Sequence, residues 1–210
     1  AARDRGAGAI ALTPTSKPPT YRGRFAPTPS GDLHLGGART ALVAHAMARQ
    51  AGGRFVLRVE DLDRPRAVPG AEERILEDLR ALGVTWDEGP HVGGPDAPYR
   101  QSERTALYEA RLEELKRAHL AFPCFCSRAE VARASHAPHG PADDGPRYPG
   151  TCRELTTLQR SERARTRQPS WRFRVPHGDA AIVKYVDLIV GAREEDVAQA
   201  VGDFVLRRTD

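Results

Sequence analysis

The sequence predicts an α/β protein organised on a parallel βαβ unit and interrupted by a cysteine-bearing insert. Three observations predict it. Residues 21–26 and 54–60 read as strands with a helical stretch between them, and such a connection favours a right-handed parallel pairing. In the second strand Phe55, Leu57 and Val59 alternate with Arg54, Arg58 and Glu60, the period of a half-buried strand. Cys124, Cys126 and Cys152 flank a loop dense in Pro, Gly and His, a composition unlike its neighbours.

Taken in order, residues 1–20 are rich in Ala, Pro, Thr and Gly without periodicity, so a disordered extension is expected. The strand at 21–26 owes its apolar character to Phe25 and Ala26. Pro27, Pro29 and Gly31 then exclude regular structure, since proline fixes φ and glycine admits positive φ. After Asp32, the residues Leu35, Ala38, Leu42 and Ala46 recur at helical spacing. Strand, rigid turn and helix together expose helix-terminal amides, which suit phosphate oxygens. His34 stands where the helix begins, and Gly36 and Gly37 let a nucleotide approach the backbone. Arg24 offers a planar fork for a carboxylate or phosphate. An ordinary proline–glycine turn with an exposed His and Arg accounts for this pattern equally well.

The second strand ends in Glu60, Asp61, Leu62 and Asp63. Its carboxylates read either as a solvated strand end paired with Arg58, Arg64 and Arg66, or as a magnesium site. Residues 70–82 form an amphipathic helix with Ile75, Leu76, Leu79 and Leu82 on one face, Glu72 and Glu73 at its positive end and Gly83 as its stop. Residues 84–99 are loop. Ser102 is placed to cap a helix reaching His119, with Tyr108, Leu112 and Leu115 as its apolar stripe.

Thiolates at Cys124 and Cys126, with a third at Cys152 after a loop, can enclose a tetrahedral zinc. One ligand of four is missing, and Tyr148, His136, His139 and water all qualify; three reduced thiols without metal are the alternative. Either way the role is structural, because a closed site leaves no open position. Beyond it, Trp171, Phe173 and Val175 alternate with Arg172 and Arg174 as a strand, residues 182–190 are another β-branched run, and 203–208 are a last strand. Arg160, Arg163, Arg165 and Arg167 read as a phosphate-binding cluster or as a solvated helix face with Glu162.

Composition sets bounds. With 210 residues, 40% hydrophobic and 29% charged, the chain can pack a domain plus an insert. It has no apolar run near the roughly 20 residues that span a bilayer, and no signal-peptide core. A cytoplasmic monomer without a membrane partner is expected. The net charge of +4 mildly favours a polyanion such as RNA.

The run Arg24-Phe25-Ala26-Pro27-Thr28-Pro29-Ser30-Gly31, followed by His34-Leu35-Gly36-Gly37, resembles the first signature of class I glutamyl-tRNA synthetases. Gly37 departs from the second His of the class-wide His-Ile-Gly-His element, though not from the glutamate branch. Glu60-Asp61-Leu62-Asp63 with Arg64-Pro65-Arg66, the Tyr148/Cys152 spacing and Val201-Gly202-Asp203-Phe204-Val205-Leu206-Arg207-Arg208 are most similar to glutamyl-queuosine tRNA(Asp) synthetases within that family. The resemblance implies a class I Rossmann-type parallel sheet, its first half in residues 21–120 and the start of its second half in 193–210. A zinc-binding, acceptor-type subdomain is inserted at 121–192.

For the site, the resemblance implies that Arg24, Phe25, Ala26, Pro27, Thr28 and Glu60 bind L-glutamate, with Glu60 on its amino group. Pro27, Gly31, His34, Gly36 and Gly37 bind ATP, which brings Mg2+, and His34 is the catalytic donor. Cys124, Cys126, Tyr148 and Cys152 hold one zinc. Glutamate would attack the α-phosphorus of ATP to give glutamyl-adenylate, and tRNA(Asp) bearing queuosine would accept the glutamate on that base. An ordinary glutamyl-tRNA synthetase and a non-catalytic tRNA- or zinc-binding module are the alternatives. The family's second signature, Lys-Met-Ser-Lys-Ser, falls beyond Asp210, so residues 1–210 are expected to be inactive by themselves.

Overall fold

The structure, a computed structural model, describes residues 21–134 and 147–209. The disorder expected for residues 1–20, and the candidate ligands His136 and His139, lie outside the described residues. The chain divides between Thr105 and Ala106 into two units.

In the first unit β1 (Arg22–Phe25) and β2 (Arg54–Leu57) pair in parallel, with Arg24 opposite Val56, and α1 (Leu35–Gln50) makes the crossover. The helix lies against the strands through its small residues. Ala41 and Ala48 are fully buried, whereas Leu35 and Leu42 are 87% and 39% exposed. The apolar stripe expected through Leu35 and Leu42 is therefore corrected: the buried face is the alanine face. Gly23 explains why, since a Cβ there would stand 2.7 Å from the Ala44 carbonyl oxygen and 3.1 Å from Ala48 Cβ. The strand backbone comes too close to α1 for larger side chains on either element. Gly23→Ala is expected to destabilise the protein by about 1–3 kcal/mol through overpacking, seen as a lower urea midpoint at unchanged slope.

The helix α2 (Ala71–Ala81) buries Ile75, Leu76 and Leu79 against Phe25, Phe55 and Leu57, while Leu82 falls at its C-cap and is exposed. Gly83 follows at φ +77°, the left-handed stop its sequence position implies. The loop after it contributes Val84 and Trp86 to this core. It also carries Glu88, 1% exposed, which accepts from Tyr99 Oη at 2.8 Å and from Arg22 at 2.5 Å. Ser102 does not cap α3 (Thr105–Arg117); a 3-10 turn at Gln101–Arg104 precedes that helix, and Ser102 instead binds Asp61 through its N–H at 2.8 Å and its hydroxyl at 2.5 Å.

In the second unit β3 (Ala121–Cys124), β4 (Ser170–Phe173) and β7 (Val205–Arg207) form an antiparallel sheet in the order β3-β4-β7. Short helices α4 (Arg128–Ala134) and α5 (Thr157–Ala164) flank the cysteine segment, α5 starting at a capping box formed by Thr156 and Gln159. The run 182–190 is a hairpin arm, not one strand. It comprises β5 (Ile182–Asp187) and a turn into β6 (Gly191–Asp196), because the Asp187 carboxylate accepts from the Ile189 and Val190 amides at 2.7 and 2.9 Å. Helix α6 (Val197–Ala200) follows, capped by Asp196. Asp203 is buried, accepting from Val175 N–H at 2.9 Å and from Arg153. Among the described residues no helix is long and apolar enough to cross a membrane.

Candidate active-site turn and metal centre

The turn after β1 is held by backbone bonds that prolong the parallel ladder beyond its regular strands. Arg58 N–H donates to Phe25 O at 3.1 Å, Glu60 N–H to Pro27 O at 2.9 Å and Val68 N–H to Pro29 O at 2.9 Å. Pro27 and Pro29 are buried, leaving Thr28 exposed between them and Glu60 beside Pro27. Further on, Arg74 Nε donates to Asp32 at 2.6 Å, tying the turn to α2.

His34 is the N-cap of α1. Its backbone is extended, at φ −86° and ψ 162°, and its Nδ1 accepts from Gly37 N–H at 3.1 Å. With Nδ1 occupied as an acceptor, Nε2 is the nitrogen of this exposed ring left to donate. Gly36 leaves room for this ring: a Cβ at that position would stand 3.1 Å from His34 Nδ1 and Cε1 and require the ring to shift by a few tenths of an ångström. The first turn of α1 holds no acidic residue, so the positive end of the helix is uncompensated by its own side chains.

Arg24 and Arg58 line one cavity of about 350 Å3 with Asp96 and Tyr99. Arg24 is exposed, and Arg58 Nη2 donates to Glu60 Oε1 at 3.0 Å. The structure thus brings Pro27 to Glu60, and His34 to Gly36 and Gly37, while Arg24 shares its cavity with Glu60's partner. No hydrogen bond joins the side chains of Arg24, His34 and Glu60 among the described residues. Asp61 is committed to Ser102, which separates the functions of the vicinal acids. The Arg58–Glu60 pair is the strand-end charge pairing that the sequence led one to expect. The Arg74–Asp32 pair, 42 residues apart, had no local signal.

The cysteines converge in the second unit. The Sγ atoms of Cys124, Cys126 and Cys152 lie within 4.8 Å of one another, those of Cys126 and Cys152 being 3.7 Å apart. Zinc–sulfur bonds of about 2.3 Å in a tetrahedron place sulfurs about 3.8 Å apart, so the donor set fits a metal. Tyr148 Oη lies 3.3 Å from Cys124 Sγ and accepts from Cys152 N–H at 2.7 Å. Burial opposes ionisation of Cys124, yet the Tyr148 hydroxyl, the Cys126 backbone N–H and Arg172 together hold it below the usual thiol value. Burial, then the neighbouring sulfurs, push Cys126 up to about 12. Burial, then the Cys124 and Cys152 side chains, push Tyr148 up, against the Cys152 backbone N–H, which favours the ionised phenol. Burial and the closeness of the sulfurs both disfavour a further thiolate at Cys126, and a bound cation would relieve both. Of the basic cluster, Arg163 Nη1 approaches Cys152 Sγ at 3.8 Å, and Arg167 Nη1 donates to Phe125 O at 2.9 Å and Glu130 at 2.7 Å.

The profile of the family described as tRNA synthetases class I (E and Q), catalytic domain, matches residues 20–210. A glutamyl-Q tRNA(Asp) synthetase of Symbiobacterium thermophilum is 52% identical over 189 residues, covering 90% of this chain and 57% of that protein. Glutamate–tRNA ligase 1 of Halorhodospira halophila is 48% identical over 195 residues, covering 91% and 39%. The crystal structure of glutamate-tRNA synthetase from Elizabethkingia anophelis superposes with a TM-score of 0.73 at 34% identity, covering 89% of this chain and 39% of that one. The chain spans 57% or less of the length of these relatives. The profile match across almost the whole chain, the parallel βαβ turn and the superposition agree: the chain belongs to the class I tRNA synthetases for E and Q, within their catalytic domain.

Proposed function

We propose that this chain carries the glutamate- and ATP-binding part of a glutamyl-Q tRNA(Asp) synthetase, which activates L-glutamate and transfers it to the queuosine base of tRNA(Asp). The observation that carries the activation step is His34, whose Nδ1 is occupied by the Gly37 amide so that Nε2 is left to donate at a helix N-terminus. That donor, with the amides near Gly36 and Gly37, stabilises charge developing on the phosphates of ATP, which Pro27 and Gly31 flank and Mg2+ accompanies. Arg24 and Thr28, on the backbone of Phe25, Ala26 and Pro27, hold glutamate. Glu60, steadied by Arg58, takes its ammonium group. The α-carboxylate then attacks the α-phosphorus in line and pyrophosphate leaves; positioning and charge stabilisation do the work, with no covalent enzyme intermediate. We assign residues 21–120 and 193–210 to the catalytic domain and 121–192 to an insert for tRNA.

Within that insert Cys124, Cys126, Tyr148 and Cys152 would hold one zinc, which supplies a cross-link between the β3 end and the 148–152 loop. The queuosine branch is supported by the Cys-x-Cys…Tyr-x-x-x-Cys arrangement and by relatives of that name at 44–52% identity. The Halorhodospira relative favours a second reading, an ordinary glutamate–tRNA ligase. Because the chain spans 57% or less of the length of these relatives, we assign the complete reaction to the full-length protein. Radiolabelled glutamate, ATP and that protein should label tRNA(Asp) containing queuosine, and neither queuosine-free tRNA(Asp) nor tRNA(Glu). Labelling of tRNA(Glu) would establish the second reading instead.

A further inference from the structure

Two arginines stand against the cysteine pocket, and catalysis as derived above uses neither. Arg172 places its guanidinium carbon 3.9 Å from the centre of the Tyr148 ring and anchors Nη1 on Asp203 O at 2.8 Å. Arg163, in the last turn of α5, aims Nη1 at Cys152 Sγ from 3.8 Å. Both arginines belong to the second unit. We propose that Arg163 and Arg172 form a charge-balancing shell around this pocket and set how tightly it holds a divalent metal. The inference rests on the zinc reading of the cysteine cluster.

A divalent cation bound by three thiolates leaves a net charge of about −1 if Tyr148 binds as the neutral phenol, and about −2 if it binds ionised. Cys124 and Cys152 are 1% and 0% exposed, so water does little to solvate that charge, and a buried charge without a counter-ion is costly. Guanidinium suits the task because it stays ionised and is weakly hydrated. The two arginines approach from different elements, Arg163 from α5 at Cys152 and Arg172 from β4 at Tyr148. The compensation is therefore spread around the pocket, and losing one arginine leaves the other in place. Groups of this kind beside a metal site commonly change affinity by about 10–100-fold without touching the metal. A thiolate-rich pocket compensated in this way selects a borderline-soft ion such as Zn2+ over Mg2+.

The test is a zinc competition titration against a chromophoric chelator, on zinc-loaded wild-type protein and on Arg163→Gln, Arg163→Lys, Arg172→Gln and Arg172→Lys. Glutamine keeps a planar hydrogen-bonding group and loses the charge; lysine keeps the charge and loses the plane. Each glutamine variant should hold zinc about 10–100-fold more weakly, and each lysine variant should stay close to wild type. Melting of the metal-stripped proteins separates affinity from folding. Arg163 is exposed and decides the matter if Arg172→Gln, which loses the Asp203 bond, fails to fold. Wild-type affinity in Arg163→Gln, or lysine variants as weak as glutamine ones, would overturn the proposal while leaving the zinc reading intact. Wild-type protein that takes up no zinc would overturn both.

Discussion

His34→Ala is expected to slow glutamate-dependent ATP–pyrophosphate exchange by about two orders of magnitude or more, the scale of losing one pre-aimed electrostatic donor. The geometry gives this substitution two effects. It removes the Nε2 donor from the helix N-terminus, and it frees the Gly37 amide that Nδ1 satisfies at 3.1 Å. Loss of the cap costs about 0.5–2 kcal/mol of stability, too little to unfold a typical domain with 5–15 kcal/mol in hand. The rate therefore reports chemistry once a melting curve has confirmed folding. His34→Asn, which keeps a cap acceptor and a donor in a shorter side chain, should restore the cap and recover only part of the rate. Near-normal exchange in a folded His34→Ala protein would remove this residue from catalysis.

Loss of the metal should have the largest effect on stability. Zinc is expected at about one per chain, and Cys124→Ala or Cys152→Ala should abolish its retention, since each removes a buried sulfur from a set of three. Structural zinc contributes on the order of 10 kcal/mol to small metal-dependent folds, and the second unit builds a core from Phe122, Phe125, Val131 and Tyr148 around these sulfurs. Stripping the metal should therefore melt this core well below the intact protein and expose the thiols to alkylation. Cys126, half-buried and pushed up to about 12 without a cation, should react more slowly than its greater exposure implies. Elemental analysis and melting with and without chelator provide the check; identical melting curves would contradict a structural metal.

The parts legible in the sequence were those written in local pattern. Phe55 and Leu57 marked β2, but the regular strand stops at Leu57 and Val56 between them is buried too, so the half-buried alternation expected as far as Glu60 is corrected; the prolines and glycines found the turn, and Gly83 found the end of α2. The cysteine spacing found the cluster, although which side chain completes it came from resemblance alone. Long-range closeness was not legible. The contact of Gly23 with Ala44 and Ala48 reverses the outward and inward faces of α1, since Leu35 and Leu42 are apolar residues that the close packing leaves outside. The polar run of β6 has no apolar alternation and forms only because β5 pairs with it. Ser102 looked like a cap because its neighbours are helical; its real partner, Asp61, is 41 residues away.

The central claim is that one glutamate-plus-nucleotide ligand is held at the turn after β1. A crystal structure of the full-length protein with a non-hydrolysable glutamyl-adenylate analogue tests it most directly. The account predicts the analogue's phosphate within hydrogen-bonding distance of His34 Nε2, its ammonium on Glu60 and its side-chain carboxylate on Arg24. An analogue bound elsewhere, with His34, Glu60 and Arg24 all untouched, would contradict it.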